Sequence, residues 1–253
     1  MVLNRSSKTL GSKLAKTNIL LEHSDLKELI PETVKYDYKS LHYMLNMHHM
    51  VYVKPNKGSQ GRGVIKVSRA GDEVFKFHIG DRSYNYSNYD ALYTGLDRYC
   101  SVQPYIVQKG IELLTYKNRI MDLRIMIQLN EQYEWETTGY VGRVAHRSKI
   151  VTNYHDRGLI LPLETLLQPY VRGQDQRQLI EQLELLGRTV AKQLQLTHPE
   201  FKEIGLDIGL DQEMKPWIIE VNTRPGSIIF KMLRNKRMYR RVRQLKRWHG
   251  LRF

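Results

Sequence analysis

Two short stretches carry side chains able to act together. In "WIIEVNTRPG", Glu220 and Asn222 stand two apart, so on a strand both leave the same face while Ile219 and Val221 turn to the core. The preceding run "GLDIGL" holds Asp207, and the intervening "QEMK" is a turn, so a hairpin brings Asp207 within reach of Glu220. Two carboxylates and an amide oxygen are hard oxygen ligands, the set magnesium takes when phosphate oxygens and water fill its other positions. Burying such acids without a cation is costly. The competing reading is that Asp207 caps a turn and Glu220 makes an edge salt bridge.

A second stretch, "VKPNKGSQGRG" at 53–63, ends an apolar run on Lys54, fixes the next residue with proline and continues with three glycines. Glycine loses more backbone freedom on folding than any other residue, so such a loop needs a reason. The Walker pattern is absent, and Lys66 stands where the dinucleotide fingerprint requires its third glycine. What remains is a loop that exposes backbone N–H groups, with the fixed charge of Lys54 just upstream. Phosphate is its natural guest, and an ordinary glycine-rich hairpin loop is the alternative.

In "MDLRIMIQ", Asp122 and Arg124 share a strand face. An arginine there can hold a terminal phosphate or a developing acyl phosphate; a structural pairing of Asp122 with Arg124 competes with that role. The stretch "RVAHRSKIVTNYHDRG" adds Arg143, Arg147, Asn153 and His155 in a loop-strand-loop pattern, where His155 alone reads as a surface histidine. No Ser-His-Asp order and no zinc-ligand spacing occurs among the nine histidines, so nucleophilic or zinc hydrolysis has no support. Cys100 is the single cysteine, which excludes an intrachain disulfide and a cysteine zinc site and reads as a buried, inert thiol.

These side chains need elements to position them. The chain has 253 residues, 41% of them hydrophobic, enough for one large domain or two small lobes. It holds no apolar run long enough for a membrane span or, at its start, for a secretory signal, so a cytoplasmic protein is expected. "TNILLEHSDLKELI" and "DYKSLHYMLNMH" read as short helices around the turn "PET", and "HMVYVKP" as a strand. "GVIKVSRA" and "DEVFKFHIG" read as a hairpin, "YDALYTGLDRYC" as a helix. "SVQPYIVQKGI", "RIMDLRIMIQLN" and "YEWETTGYVGRVAH" read as strands. "QDQRQLIEQLELLGRTVAKQLQLTH" is a long helix with Leu179, Leu183, Leu186 and Val190 on one face. Strands and helices mix without strict alternation, which predicts an α+β fold.

The net charge of +14 is unevenly spread. Residues 231–253 carry ten Lys and Arg and no acid, leaving +4 for everything before them. Met238, Val242, Leu245 and Trp248 recur there at helical spacing, which predicts a basic amphipathic helix. Either its apolar stripe docks on the body, or it meets an anionic partner such as polyphosphate, RNA or a membrane surface.

Taken in order, a strand ending "VKP", a glycine loop, "VQKGI", a "DLR" strand, an asparagine after a basic loop and a closing "IIEVNTRPG" resemble the ATP-grasp superfamily. "IPETVKY", "YVKPNKGSQGRGVIKV" and "IIEVNTRPGS" are most similar to its YheC/YheD group, described as endospore coat-associated, over residues 13–230. The resemblance implies an ATP-grasp fold of two α+β lobes enclosing a nucleotide: an N-terminal helical segment 1–52, a nucleotide-binding lobe 53–112, a metal-binding lobe 113–230 and the basic tail 231–253. It implies ATP and magnesium as cofactors. The loop residues Gly58, Ser59, Gln60, Gly61 and Gly63 would close over the phosphates above Lys54, with Lys16 as a second phosphate or adenine contact. Gln108, Lys109 and Ile111 would form the adenine hinge. Asp207, Glu220 and Asn222 would hold magnesium, and Arg124, Arg224 and Lys54 would act on the transferring phosphoryl group.

The implied chemistry is carboxylate activation by ATP and attack by an amine on the acyl phosphate, for carboxylate and amine substrates the motifs do not specify. The chain departs from the pattern in the short segment ahead of Val53, in Lys109, where many relatives carry an acid, and in the basic tail, where contact with a polyanion or a coat protein is expected. A non-catalytic coat scaffold that keeps the fold is the alternative function, and a polyanion binder acting through the tail is a third.

Overall fold

Alternation of apolar residues sets the strands of the first lobe. Val51 and Val53, Ile65 and Val67, and Phe75 and Phe77 are buried at two-residue spacing and meet in one core. The computed structural model describes residues 10–71, 74–146 and 158–251. Two helices come first, α1 (Lys13–Leu21) and α2 (Ser24–Lys27). Strand β1 (Thr33–Lys35), helix α3 (Tyr38–His48) and strands β2 (Met50–Pro55), β3 (Ile65–Arg69), β4 (Phe75–Ile79) and β5 (Arg82–Tyr86) follow, then α4 (Tyr89–Cys100) and β6 (Tyr105–Lys109). The six strands form an antiparallel sheet in the order β1-β6-β2-β3-β4-β5. Leu41, Met44 and Leu45 of α3 and Leu92, Leu96 and Cys100 of α4 cover one face. Cys100 is buried as expected, and burial pushes its thiol up to about 12.

The second lobe comprises β7 (Thr115–Tyr116), β8 (Arg119–Leu129), β9 (Trp135–Val144), β10 (Leu159–Leu161), α5 (Leu163–Leu167), α6 (Gly173–Thr197), β11 (Glu203–Leu210), β12 (Pro216–Asn222), α7 (Ile228–Lys231) and α8 (Arg237–Trp248). Its sheet runs β10-β9-β8-β11-β12, with β7 paired to β8. Every residue of β11 is buried, because both faces of this sheet are covered. Ile125 and Ile127 of β8 meet Leu183, Leu186 and Val190 of α6 on one side, and Met126 between them meets Phe230 and Val242 on the other.

The tail therefore docks. Helix α8 lays Val242 and Leu245 inside, both fully buried, and Lys246 places its ammonium 2.7 Å from Glu203 Oε1. Arg241 reaches Glu131 and Glu136 on the loop and strand beneath it. Of the expected stripe, Met238, Val242 and Leu245 dock on the lobe whereas Trp248 stays exposed, and the boundary expected at 231 runs through a packed lobe rather than a free tail. The boundary at 53 likewise cuts the first sheet, since β1 and the start of β2 precede it.

Two local expectations change. "PET" does not turn between helices: Thr33 opens β1, whose register partner is Gln108. Ile219 does not enter the core. The ladder pairs Asp207 with Glu220 and Ile208 with Ile218, so Ile219 is the extra residue of a β-bulge, which shifts the face it presents. Ile218 and Val221 take the core positions, and Ile219 faces the cleft between the lobes.

Candidate functional site

The cleft between the two sheets has a volume of about 440 Å³, within the usual range for a small-molecule site. From the first lobe, β2 sends Lys54 into it. Lys54 is almost fully buried, with Nζ 2.6 Å from Gln108 Oε1. Gln108 in turn donates to Thr33 Oγ1 at 3.1 Å, which orients its carbonyl oxygen toward the ammonium. Burial pulls Lys54 down to about 8, against the partial support of Glu220. An arriving phosphate raises that value again, so binding takes up a proton above pH 8. Nucleotide affinity is expected to hold between pH 6 and 8 and to fall by up to about tenfold per pH unit above it. Calorimetry across that range checks this, and a flat profile would remove Lys54 from the phosphate site.

The glycine loop is held at its root by α1. Asn56 Oδ1 accepts from the Ser12 hydroxyl at 3.1 Å and from Leu14 N–H at 3.0 Å, and the Asn56 carbonyl accepts from Lys13 N–H at 2.8 Å. Gly58, Ser59, Gln60 and Gly61 line the cleft, whereas Gly63 does not. With φ at +72°, a Cβ on Gly63 would lie 2.8 Å from the Tyr105 hydroxyl, so this glycine serves the turn into β3.

Lys16 is not at the main cleft. It is buried behind Lys54 in a small adjoining cavity, its ammonium donating to the Val221 carbonyl, and burial lowers it to about 8. Lys13, one helical turn earlier, lines the cleft instead, with Nζ 2.9 Å from the Gly58 carbonyl and 3.2 Å from Glu220 Oε1. The sequence reading missed it. The one trace of it in the sequence is the three-residue spacing from Lys16, which puts both lysines on one helix face without saying which meets the cleft.

Gln108, Lys109 and Ile111 all line the cleft at the junction of the lobes. The N–H groups of Lys109 and Gly110 are engaged by the carbonyls of Glu32 and Met50 at 2.8 and 2.9 Å. The Lys109 ammonium lies 5.1 Å above the Trp217 ring, an attraction between a cation and an aromatic face.

From the second lobe come four charged side chains on three adjacent strands. Asp122 and Arg124 do not pair with each other. Each pairs with its register partner across the sheet, Asp122 with Arg143 on β9 and Arg124 with Asp207 on β11. Arg143 grips Asp122 through two bonds of 2.7 and 2.5 Å and also reaches Asp207 Oδ2 at 3.2 Å. Arg124 holds both oxygens of Asp207, one at 3.0 Å through Nη2. Asn222 donates to the same carboxylate at 3.4 Å. Burial pushes Asp207 up, but the two guanidiniums outweigh it and bring it down to about 2. Burial likewise works against the charge of Arg143, and Asp122 and Asp207 more than compensate, raising it above its ordinary value.

Asp207, Glu220 and Asn222 thus share one wall of the cleft. Among the described residues no group of three His, Cys, Asp or Glu could hold a metal. The donor set is two carboxylates with one amide oxygen, which fits magnesium when phosphate oxygens and water supply the remaining ligands. Arg224 is exposed at the rim and lines the cleft mouth. Arg147, Asn153 and His155 lie outside the described residues.

A family model described as "YheC/D like ATP-grasp" matches residues 4–246. The chain belongs to that family. Its fold is an ATP-grasp fold of the α+β class, as the sequence resemblance implied. It is 26% identical over 211 residues to "Endospore coat-associated protein YheC" of Bacillus subtilis (strain 168), a match covering 82% of this chain and 58% of that protein. It is 26% identical over 186 residues to "Endospore coat-associated protein YheD" of the same organism, covering 71% and 40%. A third relative, "Probable tubulin polyglutamylase TTLL2" of Mus musculus, is 26% identical over 187 residues, covering 68% and 34%. The chain spans less than two thirds of the length of each of these curated relatives. Among the described residues no helix is long and apolar enough to cross a membrane.

Proposed function

We propose that this ATP-grasp chain is an ATP- and magnesium-dependent ligase that joins a carboxylate to an amine through an acyl phosphate, and that it associates with the spore coat as the names of YheC and YheD suggest. One observation carries the ligase reading. Lys13 and Lys54, under the glycine loop, face Asp207, Glu220 and Asn222 and the arginines Arg124 and Arg143 across a single cleft. Positive groups that hold phosphates and oxygen donors that hold a divalent cation meet where a phosphoryl group would be transferred. The printed name of the third relative, a probable tubulin polyglutamylase, agrees with the reaction class.

In this reading Lys13, Lys54 and the backbone N–H groups of Gly58 to Gly61 bind the phosphates. Gln108, Lys109 and Ile111 hold the base, with Ile219 against it from the bulge. Asp207, Glu220 and Asn222 would hold magnesium, which when bound neutralises phosphate charge and polarises the transferring group. Asp207 stays ionised throughout the neutral range for that task. Arg124 and Arg143 are fixed by their cross-strand carboxylates, so they meet developing negative charge without reorganising. Arg224 at the rim steers the acidic substrate inward.

Calorimetry of ATP with and without magnesium, followed by ADP release with a panel of acids and amines, tests the proposal. Glu220→Gln is expected to leave the fold intact, since among the described residues its carboxylate makes one ion pair, with Lys13 at the cleft edge. The variant is expected to weaken magnesium-dependent ATP binding at least about tenfold. Undiminished magnesium dependence in the variant would refute the metal assignment. Tight ATP binding with no ADP from any acid and amine pair would refute the ligase and favour a coat scaffold that retains the fold.

A further inference from the structure

After Glu220 the chain contains no acidic residue. The acid-free segment starts on the wall of the cleft, passes Arg224 and Ile228 at its mouth, and continues as α7 and α8. Some of its cations have internal partners: Arg241 with Glu131 and Glu136, Lys246 with Glu203, and Lys236 with the carbonyls of Lys231 and Leu233. Lys231, Arg234, Arg237 and Arg240 are exposed and make no ion pair with any described residue. Docking of α8 therefore does not account for them.

Their placement is directional. Met238, in the first turn of α8, accepts the N–H of Tyr140 through its sulfur at 3.4 Å, three residues along β9 from Arg143 in the cleft, a span of about 10 Å. The far end of α8 lies at Leu129, whose carbonyl meets His249. The unpaired cations sit on the half of the tail nearest the cleft.

Their position also works against the helix. The first turn of α8 has no acid and opens on Lys236 and Arg237, its polar cap coming from Asn235, whose Oδ1 accepts the Arg237 N–H at 2.9 Å. Positive charge at a helix N-terminus opposes the macrodipole, where Asp, Glu, Ser or Thr would stabilise.

We infer that Lys231, Arg234, Arg237 and Arg240 form a docking strip for an acidic polypeptide, which they hold while one of its carboxylates enters the cleft past Arg224. A polypeptide fits better than a nucleic acid, because the strip itself exposes no aromatic ring on which bases could stack: Tyr239 is half-buried with Arg243 over its ring, and the exposed Trp248 lies at the far end of α8. The choice of a carboxylate-bearing chain rests on the ligase reading.

The test is fluorescence anisotropy of a fluorescein-labelled oligoglutamate peptide with the full chain, in the absence of ATP. Binding should weaken as salt rises. The triple variant Arg234→Glu, Arg237→Glu, Arg240→Glu should bind the peptide at least about tenfold more weakly while ATP affinity stays unchanged. Glutamate at 237 suits the helix dipole, so the variant should fold; if it loses ATP binding, the triple glutamine variant is read by the same criterion. Equal peptide binding by parent and variant overturns the strip. So does an oligothymidylate of equal charge that binds more tightly than the peptide. Binding is read without turnover, so a parent chain that does not bind the peptide yet still releases ADP sinks the strip alone. Absent ADP release beside intact peptide binding sinks the ligase alone.

Discussion

Lys246→Ala is expected to lower the melting temperature by about 10 °C. Lys246 is 2% exposed and its ammonium lies 2.7 Å from Glu203, which is itself buried. Burial raises the Glu203 carboxyl, against the pull of Lys246, so this acid depends on its partner to stay charged. Removing one member of a buried pair leaves the other uncompensated and costs about 3–5 kcal/mol, and each kcal/mol is worth about 2–4 °C in a chain of this size. Pairing Lys246→Met with Glu203→Gln should recover most of the loss, because the amide can bond to Gln128, already 3.4 Å away, and no charge is left buried. Thermal unfolding of the three proteins checks this. A single variant that melts with the parent would mean that α8 is peripheral and that the tail could act independently of the lobe.

Asp207→Asn should act on both stability and nucleotide binding. The carboxylate is the shared partner of Arg124 and Arg143. Its loss leaves Arg143 with Asp122 but Arg124 without an acid, a cost of about 3–5 kcal/mol. The candidate metal site falls from two carboxylates to one, so magnesium stimulation of ATP binding should disappear. Asn222→Ala separates the effects, since it removes a candidate ligand while both ion pairs remain. It should lose magnesium dependence with little change in melting temperature, and retention of that dependence in both variants would place the metal elsewhere. The pH behaviour of the parent follows from the same network. A carboxyl depressed to about 2 contributes stability that is fully present above its ordinary 3.8 and lost as pH falls through 2. The parent's stability advantage over Asp207→Asn should therefore be constant between pH 4 and 7 and shrink as pH falls from about 4 toward 2.

Much of the site was legible because its parts are local in sequence. Lys54 and the glycines share one loop, Glu220 and Asn222 share one strand, and a four-residue turn joins that strand to Asp207. Short-range rules of alternation and hairpin pairing suffice for such parts. The order of these motifs carried the family resemblance for the same reason.

The remainder depended on neighbours distant in the chain. Asp122 and Arg124 look like partners when read along β8, yet a strand is bonded sideways, and antiparallel register hands each to a residue on another strand. The ladder shift at Ile219 cannot be seen from β12 alone, because a bulge is defined by the count on the opposite strand. Lys13 and Lys16 are equivalent as letters, and only the docking of α1 between the glycine loop and Val221 decides which ammonium meets the cleft. The basic tail shows the same division. Its composition and helical period were determined by sequence, as was its excess of positive charge. Which cations are neutralised by Glu131, Glu136 and Glu203, and which remain exposed beside the cleft, was decided only when α8 packed on the sheet, because screening and pairing act through distance in space.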